Sequence, residues 1–137
     1  MSCAFCRIVA GEVEAAVVAG DADTLAFLDH RPLFPGHVLV VPRAHIETLD
    51  DLPAASIESF FATVRRMSAA VRRALGAQGT FVAMNNVVGQ SVPHLHVHVV
   101  PRTRGDGLRG FFWPRTPYDD AAHMERVRSA IAAASDG

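Results

Sequence analysis

The sequence predicts an α+β fold: a five-stranded, mainly antiparallel sheet with one long helix and a second helix near the C-terminus. Three observations carry this reading. Short runs rich in Val, Leu and Phe alternate with Gly, Pro and Asp clusters before residue 42 and again over 80–100, which is strand and turn chemistry. One stretch, 53–75, has its apolar residues three and four apart, the period of a helix. The 137 residues are 50% hydrophobic and 20% charged, enough for one buried core.

The elements follow in order. Residues 4–10 read as a short helical turn ended by Gly11. Residues 15–19 and 24–29 are strands joined by Gly20-Asp21-Ala22-Asp23, a hairpin. Pro32, Pro35 and Gly36 punctuate a loop, and 37–41 is a third strand stopped by Pro42. In the long helix Ile57, Phe60, Phe61, Val64, Met67, Val71 and Leu75 make one stripe. Pro53 suits its first turn and Gly76 its end. Arg65, Arg66, Arg72 and Arg73 flank the stripe as a solvated face. Strands at 80–84 and 92–100 complete the sheet. Residues 118–134 form a weaker helix with Met124, Val127 and Ile131 on one side. The helices are expected on one face of the sheet.

Composition excludes several functions. The formal charge is -1, which argues against coating nucleic acid, because neutralising phosphates needs a clustered positive excess. All 13 basic residues are Arg, so chemistry that needs a Lys amine, P-loop or Schiff-base, is ruled out. Arg-rich codon usage accounts for that bias. No run approaches the roughly 20 apolar residues of a membrane span, and the N-terminus lacks the pattern of a secretory signal. The expectation is a cytoplasmic protein with no membrane partner.

The strongest signal is His94-Leu95-His96-Val97-His98-Val99-Val100. On a strand, His94, His96 and His98 share one face while Leu95, Val97 and Val99 face the core. With seven His in 137 residues, such a triple arises by chance about 2% of the time. Three aligned imidazoles can bind a metal, or can supply a nucleophile flanked by donors to phosphate oxygens. A plain polar strand face is the third option. Upstream, Gly89 permits close backbone approach to a ligand, and Gln90 and Ser91 offer donors. Asn85 and Asn86 close the preceding strand.

These residues resemble the histidine triad (HIT) family, whose signature is His-φ-His-φ-His-φ-φ with φ apolar. The likeness extends from Cys3 to about Trp113, with 114–137 as a tail, so a single domain over 1–137 is expected. Leu25-Ala26-Phe27-Leu28-Asp29 is similar to the family's ribose-contacting strand. Pro35-Gly36-His37 through Pro42-Arg43-Ala44-His45 is similar to the next strand, which carries a fourth active-site His. Gly89-Gln90-Ser91-Val92 is similar to the segment that touches the α-phosphate. One departure stands out: only Val87, Val88 and Gly89 separate Asn86 from Gln90, a shorter loop than bacterial members usually have.

The resemblance implies hydrolysis or transfer of a nucleotidyl group on AMP-type conjugates, in the manner of nucleoside phosphoramidases. His96 would be the nucleophile and form a nucleotidyl-histidine. His98, His37 and His94 would complete the catalytic set, with no catalytic metal. Asp29 would hold the ribose. Ile8, Phe27 and Leu28 would wall the base pocket, and Asn85, Gln90 and Ser91 would line the phosphate. A dinucleoside polyphosphate hydrolase, and a nucleotide-binding regulator with little turnover, are the alternatives. A homodimer is implied as well.

Cys3-x-x-Cys6 has zinc-ligand spacing, but two Cys do not close a tetrahedral site. By the same resemblance, His45 and His94 would complete a structural Zn site. In the tail, Phe111-Phe112-Trp113-Pro114 is an aromatic cluster, with Phe111 and Phe112 expected to pack in the core or at a dimer interface. Arg102, Arg104, Arg109 and Arg115 either meet polyphosphate or solvate their loop.

Overall fold

The computed structural model describes residues 3–108 and 114–135. In chain order it has helix α1 (Ala4–Val9) and strands β1 (Val17–Gly20), β2 (Thr24–Leu28) and β3 (Val38–Pro42). A 3-10 turn (Leu49–Asp51) leads into helix α2 (Ala54–Leu75). Strands β4 (Gly79–Ala83) and β5 (Val97–Arg102) follow, then helix α3 (Ala121–Ala134). The five strands form one sheet in the order β1-β2-β3-β5-β4, with every neighbouring pair antiparallel. The fold class is the expected one. The 3-10 turn, closed by Thr48 and Asp51, was not legible in advance.

The sheet divides two cores. On one side α2 buries Phe60, Val64, Met67 and Val71 against Ala26, Val38, Val40, Val97 and Val99. Each such side chain contributes roughly 1.5–3 kcal/mol on leaving water. The stripe is shorter than the sequence pattern suggests, because Ile57 and Leu75 at its ends are 47% and 53% exposed. Arg65, Arg66, Arg72 and Arg73 are exposed as expected. On the other side Leu25, Phe27, Leu39 and Val41 pack with Cys3 and Phe5. Alternation sorts them: odd positions of β2 and β3 face α1, even positions face α2. So the helices do not share one face, as the sequence had suggested. The short α1 covers the face opposite α2.

The histidine segment departs from the expected strand. β5 starts at Val97, so His94 and His96 precede it and only His98 lies on the ladder. The reason is a pair of prolines without N–H groups. Continuing the β3–β5 register would set Leu95 opposite Pro42, which has no N–H to donate, and Pro93 interrupts the approach. The segment is held instead by His94 N–H to the Val92 carbonyl (2.8 Å) and Leu95 N–H to the Ile46 carbonyl (2.7 Å). Leu95, Val97 and Val99 still reach the α2 core.

The chain divides into two compact units, Met1–Asp106 and Gly107–Gly137. The first holds the sheet, α1, α2 and all the candidate site residues. In the second, Asp120 caps α3 by accepting from the His123 N–H (2.7 Å), and the helix buries none of its residues. Arg115 is exposed. Arg109 and the cluster Phe111 to Trp113 lie outside the described residues. Among the described residues, no helix is long and apolar enough to cross a membrane.

Candidate active site and metal site

Register places the site. Phe27 pairs with Leu39, and Leu39 with His98, so these three stand in a row across β2, β3 and β5 on the α1 side. The loop before β3 delivers His37 to the same face. Gly36 makes that possible: its φ is +97°, and a Cβ there would run into the Leu75 side chain. Asp29 follows β2 and is tied to this loop by its N–H on the His37 carbonyl (2.9 Å).

Hydrogen bonds assign the protons on each imidazole. The Leu33 N–H donates to His37 Nδ1 (3.1 Å), so the neutral ring carries its proton on Nε2. That Nε2–H donates to His98 Nδ1 (2.9 Å), which leaves His98 with its proton on Nε2. His96 Nδ1–H donates to the His94 carbonyl (2.7 Å), so the neutral ring keeps a lone pair on Nε2. His94 Nε2–H donates to the Pro42 carbonyl (2.7 Å), so its lone pair is on Nδ1. His94 and His96 are buried, and the His96 and His98 rings lie 5.0 Å apart.

Burial favours the neutral form of His98, His37 and His94. Burial holds His98 down to about 4; His96 and His37 push the same way and Asp29 opposes. Burial also lowers His37, again against Asp29. For His94, burial lowers the value, the Pro42 hydrogen bond opposes, and His45 and His96 add to the lowering.

The structure brings most of the expected residues together and parts a few. Asp29 Oδ2 lies 3.8 Å from His37 Nε2, while Oδ1 accepts the Arg31 N–H (2.9 Å), so the carboxylate also closes a turn. Ile8 and Phe27 share the α1-side cluster. Leu28 does not. Strand alternation turns it to the opposite face from Phe27, and it is 38% exposed, so it walls no pocket with Phe27. The Gln90 amide is engaged at both ends, Nε2–H to the Glu47 carbonyl (2.6 Å) and Oε1 from the Val87 N–H (3.0 Å). It clamps the loop with one of its two amide N–H groups. Asn85 donates to the Gly89 carbonyl (3.1 Å), and Ser91 is exposed. Asn86, expected to close the preceding strand, tethers a loop instead, its Oδ1 accepting the Leu49 N–H (2.7 Å); Phe5 was not singled out from the sequence. Phe5 could have been found from its place between Cys3 and Cys6.

Among the described residues, two groups of side chains offer metal-ligating atoms within 4.8 Å of one another: Cys3, Cys6, His45 and His94, and Asp29, His37 and His98. In the first, Cys3 Sγ and Cys6 Sγ lie 3.4 and 3.5 Å from His94 Nδ1, and Cys6 Sγ lies 3.2 Å from His45 Nδ1. Ligands on a tetrahedral Zn with bonds of about 2.3 Å to S and 2.0–2.1 Å to N sit roughly 3.6 Å apart. The donor set therefore fits, and His94 presents the correct lone pair. Cys3 also caps α1, accepting the Cys6 N–H (3.4 Å).

Fold and site together define a class: a small α+β domain that gathers histidines of fixed tautomer on one end of a sheet. The chain belongs to the HIT family, whose HIT domain model matches residues 10–105. An uncharacterized HIT-like protein of Methanocaldococcus jannaschii is 43% identical over 77% of this chain and 82% of its own. An adenosine 5′-monophosphoramidase of Schizosaccharomyces pombe is 34% identical, covering 85% and 86%. An asymmetrical bis(5′-nucleosyl)-tetraphosphatase of the same organism is 35% identical over 59% of this chain and 46% of its own. Among solved structures, a HIT-family protein of Bacillus subtilis superposes with a TM-score of 0.87 at 32% identity, covering 96% of each chain. A Zn-bound histidine triad family protein of Mycobacterium smegmatis gives 0.74 at 37% identity, covering 99% and 97%.

Proposed function

We propose that the protein is a nucleotidyl hydrolase that cleaves AMP-type conjugates, phosphoramidates first among them, through a nucleotidyl-His96 intermediate. The observation that carries this is the tautomer of His96. Its Nδ1–H is fixed on the His94 carbonyl at 2.7 Å, so Nε2 is the lone pair available for attack. Attack at the α-phosphorus forms the P–Nε2 bond and breaks the bond to the leaving amine. The His98 Nε2–H hydrogen-bonds the phosphoryl oxygens, and the leaving amine takes its proton from solvent water. Water then cleaves P–Nε2 and releases the mononucleotide. Asp29 accepts from the ribose hydroxyls.

His37 acts one step back. Both its nitrogens are occupied, so it sets His98 instead of touching phosphate. A Zn held by Cys3, Cys6, His45 and His94 would be structural, because four protein ligands leave no position for water or phosphate. A purine nucleotide as ligand and a homodimer as assembly belong to the same reading, as does a single functional domain over 1–137. The S. pombe monophosphoramidase supports the phosphoramidate. The tetraphosphatase supports dinucleoside polyphosphates as the second substrate class.

The test is a single-turnover incubation with adenosine 5′-phosphoramidate, quenched in alkaline denaturant, which spares the acid-labile P–N bond, and read by intact mass. The wild type should accumulate a nucleotidyl adduct on His96. His96→Ala should show none and lose turnover by about 10³-fold or more. Near-normal turnover in His96→Ala refutes the mechanism. Tight AMP binding with no adduct would make the protein a nucleotide-binding regulator.

A further inference from the structure

We propose that Phe5 is a positioning residue for His96: its ring fixes the plane of the imidazole that attacks phosphorus. This rests on the reading of His96 as nucleophile and adds what holds it. The hydrogen bond from His96 Nδ1–H to the His94 carbonyl anchors one corner of the ring. It does not stop the ring tilting about that bond, and a tilt carries Nε2 off its line of attack. Two rings restrain the tilt. His98 lies 5.0 Å away at 66°, and Phe5 lies 5.1 Å away at 79°, an edge-to-face contact.

His98 is itself fixed by β5 and by His37. Phe5 is fixed by α1, where it lies between Cys3 and Cys6, and is buried. Its ring also meets Phe27 (5.5 Å, 68°) and His94 (6.0 Å, 77°). Among the described residues, Phe5 is the one ring in contact with both His94 and His96. It therefore sets the nucleophile relative to the residue whose carbonyl holds it. An aliphatic side chain of similar size fills the same space but lacks the ring quadrupole that prefers this geometry.

A wall and a positioning residue fail differently. If Phe5 only lined the base pocket, its loss would raise KM and leave kcat alone. If it holds His96, kcat and the single-turnover rate fall while KM changes little, since misalignment is felt in attack and not in binding. The experiment compares wild type, Phe5→Leu and Phe5→Tyr with adenosine 5′-phosphoramidate. It also follows the His96 side-chain nitrogens by ¹⁵N NMR without substrate.

Phe5→Leu should lose about tenfold in kcat with KM within about twofold, the equivalent of about 1.4 kcal/mol in the barrier. Phe5→Tyr should recover most of it. The His96 Nδ1–H signal should broaden or move toward a tautomer mixture in Phe5→Leu and be restored in Phe5→Tyr. A rise in KM alone, with an unchanged His96 signal, overturns the proposal. If the wild type turns over no phosphoramidate, the enzymatic reading fails, and the NMR comparison still decides whether Phe5 holds His96. Should Phe5→Leu not fold by circular dichroism, Phe5→Met serves in its place.

Discussion

Removing the His37 side chain separates a positioning role from a phosphate contact. In His37→Ala two hydrogen bonds go: the Leu33 N–H loses its acceptor, and His98 Nδ1 loses its donor. His37 is only 3% exposed, so the His98 Nδ1 it leaves behind is poorly solvated, while Leu33 lies on an exposed loop at 55%. An orphaned buried polar group costs about 1–3 kcal/mol. The vacated space is polar enough to admit a water that repairs part of this. The expected loss of stability is therefore about 2 kcal/mol, read as a shift in urea midpoint at constant slope.

Turnover should fall further than stability explains. Without His37, nothing forces the proton of His98 onto Nε2, and the ring is free to turn. A misplaced catalytic group costs about 10- to 100-fold. His37→Gln should recover part of the rate, since its amide can still donate toward His98 Nδ1. A His37→Ala enzyme that loses stability but keeps kcat within twofold would refute the positioning argument. A His37→Gln enzyme as slow as His37→Ala, with a His98 Nε2–H signal unchanged by NMR, would place His37 on the phosphate instead.

Three further outcomes follow from the same geometry. Asp29→Ala should weaken AMP binding by roughly 1.5–3 kcal/mol, the range for bonds to a charged acceptor, and a 2′-deoxy analogue should lose little more in that variant by calorimetry. Because burial depresses His98 to about 4 and lowers His37, the unfolded chain takes up protons at these rings before the folded one does. Stability is then complete above about pH 6.5 and is lost as pH falls toward 4, by about 1–3 kcal/mol for His98 after discounting its partial exposure. Urea titrations across that window should show the slope, and His98→Asn should flatten it. Cys3→Ser, or chelation of Zn-loaded protein, should lower Tm by roughly 10 °C while keeping most turnover at low temperature. His94→Ala should lose both metal and rate, because its Pro42 tether goes too. Equal loss of turnover in Cys3→Ser and His94→Ala would point to a metal in the chemistry.

Much of the fold is local and was legible. The α2 stripe and the hairpin turns announce themselves through spacing and through Gly and Pro. The parts that were not legible depend on partners far away in sequence. β5 begins late because its register would set Leu95 opposite Pro42, fifty-odd residues upstream, and within 92–97 only Pro93 hints at it. The side of the sheet that α1 covers is decided by the odd-numbered residues of β2 and β3. The site shows the same division. The His-x-His-x-His spacing marks the candidate site, but it suggests three equivalent imidazoles on one strand face. Their tautomers are set by backbone groups the sequence does not flag: the carbonyls of Pro42 and His94 and the N–H of Leu33. Gln90 illustrates the converse. Its amide is suited to phosphate, yet the short 87–89 loop turns it onto Glu47 and Val87.

Tautomers distinguish the two clusters that have metal-ligand composition among the described residues. A metal takes a lone pair, and the nitrogen that offers it must not carry a proton. His94 meets that condition toward Cys3 and Cys6, because the Pro42 carbonyl, which can only accept, holds the proton at the far side of the ring. His37 fails it. For its Nε2 to ligate beside Asp29 and His98, the proton would have to move to Nδ1, which already faces the Leu33 N–H at 3.1 Å. Two hydrogens would then be pressed together against the buried His37 ring, or the ring would have to lose its proton altogether. The Asp29, His37 and His98 group is thus built to pass a hydrogen bond along, N–H of Leu33 to His37 and His37 to His98, ending in an outward donor. Second-equivalent Zn added to Zn-loaded protein should accordingly leave the ¹⁵N signals of His37 and His98 in place. Movement of those signals at stoichiometric metal would show that the Leu33 lock is weaker than its geometry indicates.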